Sequence, residues 1–299
     1  MTADTGRLTS RLGAAGLAVY FWAFVVFLFA PLAVLLIFSV NKSPTPTLPL
    51  SGFTTKWFHE AFGNGTLTGA LVRSIGIALI ASLLATALGI MASLGLLVLR
   101  GRTAALALTV LLLPLVVPYI CLAVGLLILV QEVGAKPSLV AVVLGHSVIV
   151  LPFAILVIMP RLRSLDPSMN EAAQDLGASP LAALRLITLP LLAPALVSSA
   201  IICFVTSFDE FAIASFLAPS GQPTYPVFLY ASARTPALLP EVIAVGALII
   251  AGSLLLVILA EGGRRWAERR LVGQTAASAA QAQEMNDDQS AGGFAMVNG

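Results

Sequence analysis

Six runs of this sequence, at 17–40, 74–99, 104–130, 138–159, 191–217 and 242–260, are long and apolar enough to cross a bilayer. A helix needs about 20 apolar residues to span the hydrocarbon. Composition says the same. Of the 299 residues, 59% are hydrophobic and only 10% are charged, where a soluble domain has about 25%. A soluble fold of this length could not bury so much apolar surface, so lipid is the expected solvent. The fold class predicted is all-α: a polytopic membrane protein with six transmembrane helices. Only the fifth run is interrupted by charge, at Asp209 and Glu210.

Orientation follows from Lys and Arg. One side collects Arg7, Arg11, Arg100, Arg102, Arg161, Arg163, Arg185, Arg264, Arg265, Arg269 and Arg270; the other has Lys42, Lys56, Arg73, Lys136 and Arg234. The bias puts both termini and the 160–190 loop in the cytoplasm. Residues 1–16 are read as a cytoplasmic segment, 17–262 as the membrane domain, and 263–299, poor in large apolar residues, as a disordered cytoplasmic tail. The first run lacks a small-residue cleavage site after it and is expected to stay as an anchor. The loop at 41–72 is punctuated by Pro and Gly, with a short helix expected near 55–62. Pro114, Pro118 and Pro152 lie inside runs and predict kinks. Ser74, Ala78, Ser82, Ala85, Gly89 and Ser93 recur at helical spacing, as a stripe that lets helix backbones approach closely.

Enzyme chemistry finds no footing. There is no phosphate-binding G-x-x-x-x-G-K-[ST]. His59-Glu60 lacks the second histidine of H-E-x-x-H. Two histidines and the distant Cys121 and Cys203 make no metal cluster and indicate no disulfide. Gly145-His146-Ser147 lacks the closing glycine of a nucleophile elbow, and His146 is expected to be buried and hydrogen-bonded within the bundle.

The unusual segment is DPSMNEAAQDLGASPLAALRLITLP, at 166–190. Asp166 can cap a helix with Pro167 in its first position. Glu171 suits the early turns, and Gly177 suits a left-handed stop. Ser179-Pro180 repeats the start signal, and Pro190 and Pro194 mark entry to the membrane. Two short helices meeting at Gly177-Ala178-Ser179 are predicted. From the residues alone, two readings stand: an amphipathic connector on the bilayer, or a docking element whose Ala172-Ala173 face enters a partner's cleft.

The stretch EAAQDLGASPLAALRLITLPLLAPAL resembles the EAA loop of binding-protein-dependent ABC importer permeases. That pattern runs EAA, three residues, Gly, about nine residues, then I-x-LP. GFTTKWFHEAF, GHSVIVLPF and SFDEFAIASFL are similar to further segments of the spermidine/putrescine-type permeases, above all the second of their two permease subunits. The sequence departs from the family at Leu181 and Leu184, where aromatics are common, and at Arg73, where Asn is common. The resemblance implies a type I ABC importer permease bundle with cytoplasmic EAA coupling helices, in a bacterial inner membrane. It implies an ABC ATPase dimer that carries ATP and Mg, a second permease forming a heterodimer, and a periplasmic solute-binding protein. No cofactor is implied on this chain, and no nucleic acid. The coupling residues implied are Glu171, Ala172, Ala173, Asp175, Gly177, Ala178, Ser179, Leu184, Ile187 and Pro190.

Asp209 lies about 27 Å along a helix from Leu191, at 1.5 Å per residue. A carboxylate facing lipid at mid-membrane costs about 2.5–3.5 kcal/mol, so Asp209 and Glu210 are expected to face protein or water. Adjacent side chains diverge, so one of the two at most faces a pathway. Two readings remain: solvated span-ending residues paired with Arg73 or Arg234, or an attractor for a cationic solute. Polyamines suit carboxylates with aromatic walls, and Phe208, Phe211 and Tyr225 are the candidate walls. Ferric iron, opines and phosphonates are alternative solutes by resemblance. A stand-alone secondary transporter is a rival that would need ionisable residues near mid-membrane.

Overall fold

The computed structural model describes residues 3–235 and 237–255, with side chains from residue 16 onward. The helices are α1 (Ala3–Ser39), α2 (Lys56–Gly63), α3 (Gly65–Val98), α4 (Gly101–Leu112), α5 (Tyr119–Glu132), α6 (Leu139–Arg163), α7 (Ser168–Asp175), α8 (Pro180–Ala183), α9 (Leu189–Phe208), α10 (Ala212–Leu217), α11 (Tyr225–Ser232) and α12 (Leu239–Leu255). The chain divides into two compact units, one from 55 to 242 and one made of residues up to 54 with those from 243 onward.

In the latter unit, α1 presents Phe21, Trp22, Phe24 and Phe27 outward, as a helix solvated by lipid does. After it, the buried Asn41 organises the loop: its Oδ1 accepts from the Ser51 N–H at 3.2 Å and the Ser51 hydroxyl at 3.3 Å.

The 55–242 unit is built around α3, α6 and α9, which pack on one another. The predicted stripe of α3 is the reason: Ser74, Ala78, Ser82, Ala85, Gly89 and Ser93 are all buried. At Gly89 the approach is so close that a Cβ would stand 2.7 Å from that of Ala154 on α6. Helices in lipid gain little from hydrophobic exclusion, so close packing and hydrogen bonds between helices carry the association. Thr86 and Ser199 join α3 to α9 at 3.3 Å, a bond worth about 0.6 kcal/mol. The Cys203 thiol donates to the Val150 carbonyl across α9 and α6 at 3.4 Å, and both cysteines are free. Asn64 caps α3 by accepting from Thr66 and Leu67, and donates to Glu241 at 2.8 Å.

Among the described residues four helices can cross a membrane uninterrupted: α1 from Gly16, α3, α6, and Pro180–Phe208. The run expected at 104–130 is instead a pair, α4 with α5, bent by 99°. The 3₁₀ turn Leu113–Leu115 and the extended Pro118 separate the two helices. Pro114 and Pro118 lack the N–H that would continue the ladder. Pro152, by contrast, sits inside an unbroken α6. The last predicted run is helical over Leu239–Leu255; its remainder, and the tail, lie outside the described residues.

Candidate functional site

Two segments bring the predicted site residues together: the elbow between α6 and α9, and the break between α9 and α10. At the elbow, the Asp166 carboxylate accepts the Ser168 N–H at 2.9 Å. That bond holds its carboxyl below the usual carboxylate range. Glu171 sits in the first turn of α7, where a negative charge suits the helix dipole. The helix stops at Gly177, whose φ of +89° is open to glycine without strain. The Ala178 N–H bonds the Ala173 carbonyl at 3.0 Å and the Gly177 N–H bonds that of Gln174 at 2.8 Å. These are the two bonds of a Schellman stop. Ser179 then caps the next helix, accepting from Ala182 at 3.2 Å, with Pro180 at its first position.

The second helix does not end before the membrane as the sequence suggested. α8 runs through a π-helical turn, Leu184–Thr188, straight into α9. Pro190 follows directly on the π turn, and its missing N–H leaves the helical ladder one bond short at that point. The Thr188 hydroxyl donates to Asn170 Oδ1 at 3.2 Å and ties α7 to this rod. Behind the elbow is a hollow of about 470 Å³, lined by Leu94 and Leu97 of α3, Leu162 of α6, Asn170 and Leu184 among others.

The predicted coupling residues therefore divide. Glu171, Ala172, Asp175, Gly177, Ser179 and Pro190 are exposed, while Ala173, Ala178, Leu184 and Ile187 are half-buried. Leu184 turns toward the hollow. Sequence reasoning passed over Leu176. It is 90% exposed at the tip of the elbow, and the available signal was a leucine closing an otherwise polar helix.

At the break, α9 ends at Phe208 and α10 begins at Ala212. Asp209 is exposed and Glu210 is buried. The Glu210 carboxylate accepts the Ile213 N–H at 2.9–3.0 Å and the Ala214 N–H at 3.2 Å, so it caps α10. His146 of α6 lies alongside. Its Nδ1 is 2.8 Å from the Ser207 hydroxyl. Its Nε2 is 3.2 Å from Glu210 Oε2, off the line of a regular hydrogen bond. A proton on Nε2, with Ser207 donating to Nδ1, suits both partners. A hydroxyl, an imidazole and a carboxylate in this order resemble a nucleophile's setting, but Ser207, His146 and Glu210 are 2%, 1% and 5% exposed. No substrate can approach them.

The aromatic residues fall into two groups. Phe208 stacks between Phe204 and Tyr225, each at 6.1 Å. Phe211 tilts on Tyr230 at 5.0 Å instead, and Arg234 lies over that ring at 5.2 Å. The Tyr225 N–H is held by Ser74 Oγ at 2.8 Å. Neither arginine offered as a carboxylate partner takes that place. Arg73 Nε donates to the Pro223 carbonyl at 3.0 Å, and Arg234 donates to the Tyr230 hydroxyl at 3.0 Å. Among the described residues no group of three His, Cys, Asp or Glu side chains could hold a metal ion.

Residues 85–273 match the family described as the binding-protein-dependent transport system inner membrane component. The chain is 35% identical to the spermidine/putrescine transport system permease protein PotC of Haemophilus influenzae, over 80% of this chain and 93% of that protein. It is 34% identical to the putrescine transport system permease protein PotI of Escherichia coli K12, over 75% and 82%. Its fold is similar to a chain of a bacterial ABC transporter involved in the import of the acidic polysaccharide alginate, with a TM-score of 0.63, 15% identity, and coverage of 86% of this chain and 97% of that one.

Proposed function

The chain belongs to the family of binding-protein-dependent transport system inner membrane components, and from that premise we propose that it is the coupling half of a polyamine importer. It is a permease subunit of an ABC transporter and not an enzyme. Its elbow lies in the cytoplasm, with both termini, and engages an ABC ATPase dimer that binds and hydrolyses ATP with Mg. A second, different permease completes the path, and a periplasmic binding protein delivers the solute.

The observation that carries this reading is Leu176. A leucine 90% exposed beside Glu171 and Asp175 on a capped helix gains nothing as a solvated loop. It fits an apolar socket rimmed by basic groups. The Schellman stop and the Ser179 cap make the elbow a stiff lever, and a lever transmits displacement where a loose loop would absorb it. The likeness to spermidine and putrescine permeases supports a polyamine solute, as does exposed Asp209 beside the half-buried Phe208.

Glu171→Lys reverses a charge at the docking face. Gly177→Pro forces a φ of about −65° where the elbow needs +89°. Each change should remove the ATPase from the purified complex and abolish uptake of labelled putrescine, while the permease stays helical and monodisperse in detergent. If the ATPase stays bound and uptake persists in both variants, the elbow is not the coupling element.

A further inference from the structure

Five observations meet at the break between α9 and α10. The helix is interrupted for three residues, Asp209 to Phe211. Glu210 turns inward and caps α10 through Ile213 and Ala214. His146 holds both sides of the interruption at once, through Ser207 in the last turn of α9 and through Glu210. Gly145, the neighbour of His146, packs so tightly that a Cβ there would stand 2.7 Å from Ile213 Cγ2 of α10. Asp209, next in the chain to Glu210, is exposed.

We infer that His146, Ser207 and Glu210 form a positioning device that sets the direction of the chain through the break and thereby holds Asp209 outward. An ionisable pair inside a bundle is expensive to bury and calls for a function. Solute contact is not that function for Glu210, because its oxygens are engaged by two N–H groups and the imidazole. What the pair does is geometric. Adjacent carboxylates repel and compete for water, and a chain free to rotate at the break could turn either one inward. Fixing Glu210 to α6 removes that freedom. Since α6 supplies the imidazole, any displacement of α6 against α9 reaches Asp209 through these contacts. That Asp209 then meets a cationic solute rests on the reading proposed above; that it is held outward does not.

The test therefore has two independent arms, both on the intact transporter in its membrane. In the first, Asp209→Cys is placed in a Cys121→Ser background, because Cys121 is exposed and Cys203 is buried. Its reaction rate with a membrane-impermeant maleimide is measured. Adding Glu210→Gln, or His146→Asn, which keeps reach to Ser207 but not to Glu210, should slow labelling severalfold. His146→Gln, which keeps reach to Glu210, should restore most of it; a side chain that merely fills space would not separate the two amides. If Glu210→Gln is not produced, His146→Asn and Ser207→Ala decide. Labelling unchanged in the variants produced at wild-type level overturns the proposal.

The second arm is uptake of labelled putrescine. Glu210→Gln should raise KM about tenfold, about 1.4 kcal/mol, with a smaller change in maximal rate. In an Asp209→Asn background it should add nothing, because Glu210 acts through Asp209. If Asp209→Asn leaves KM unchanged while labelling still depends on Glu210, the positioning device stands and the solute reading falls. If Asp209→Asn raises KM but labelling ignores Glu210 and His146, the solute reading stands and the positioning device falls.

Discussion

Two of the helix interruptions among the described residues, the elbow and the α9–α10 break, lie beside acidic residues and are held by different means. At the elbow the bonds that shape the turn are local, Ser168 to Asp166, Gly177 to Gln174, Ala178 to Ala173 and Ala182 to Ser179, and the longest tie, Thr188 to Asn170, spans 18 residues and stays within the elbow segment. At the α9–α10 break, Glu210 also uses neighbouring N–H groups, but His146 joins Ser207 from 61 residues away in sequence. A turn fixed locally keeps its shape wherever the rod below it moves. A turn fixed by another helix keeps its shape only while the two helices keep their register. The elbow is thus suited to transmit motion unchanged, and the break to register it.

The largest expected effect separates the two regions by stability. His146→Leu removes the imidazole from a buried carboxylate and from Ser207. Removing a partner from a buried polar group costs about 1–3 kcal/mol, so the unfolding midpoint of the purified protein in detergent should fall clearly. Gly177→Ala should act only locally. A Cβ there meets nothing within 4 Å, so the sole penalty is the left-handed backbone, about 1–2 kcal/mol. That penalty should appear as faster amide exchange in α7 and weaker ATPase coupling, with the bundle's midpoint unchanged. If both variants lower the midpoint equally, the distinction between a self-contained elbow and a cross-braced break is wrong.

Ser179→Ala sharpens the comparison at a finer scale. Losing a serine cap costs about 1 kcal/mol. Because α8 continues through the π turn into α9, fraying should stop at that turn, where Thr188 is pinned to Asn170. Amide exchange should rise over 180–183 and stay at its wild-type level in α9. A rise that extends into α9 would mean that the rod is held from its start and not from the Thr188–Asn170 tie.

The same distinction explains what the sequence could disclose. Asp166, Gly177 and Ser179 announce the elbow because caps and left-handed stops depend on residue type at short spacing. The small-residue stripe of α3 announces its buried face for the same reason. What stayed hidden depends on partners distant in sequence or on degree. Asp209 and Glu210 mark the break, but nothing local says which of them turns inward; His146 decides that from α6. Pro114, Pro118 and Pro152 all predict kinks, yet only the first two accompany a separation of helices, with a 99° bend. Periodicity also fails to show that α8 has no exit before the membrane, since Leu181, Leu184 and Ile187 read equally well as a short helix or as the start of a long one.

The smallest effect concerns protonation at the first cap of the elbow. The bond from the Ser168 N–H holds the Asp166 carboxyl below its usual range. A carboxylate depressed in the folded state contributes stability that is complete above the unfolded value, about 3.9. That contribution is lost as pH falls through the lower, folded value. The start of α7 should therefore be insensitive to pH near neutrality and loosen only in acid below the ordinary aspartate range. Following the Ser168 amide proton shift against pH should give a midpoint under that range. Asp166→Asn keeps an acceptor oxygen but cannot titrate, so it should abolish the transition while leaving the helix start in place. Asp166 is exposed, so salt should shrink the shift. A midpoint at or above the ordinary value would show that this cap is not formed in solution, and that the elbow relies on Gly177 and Ser179 for its stiffness.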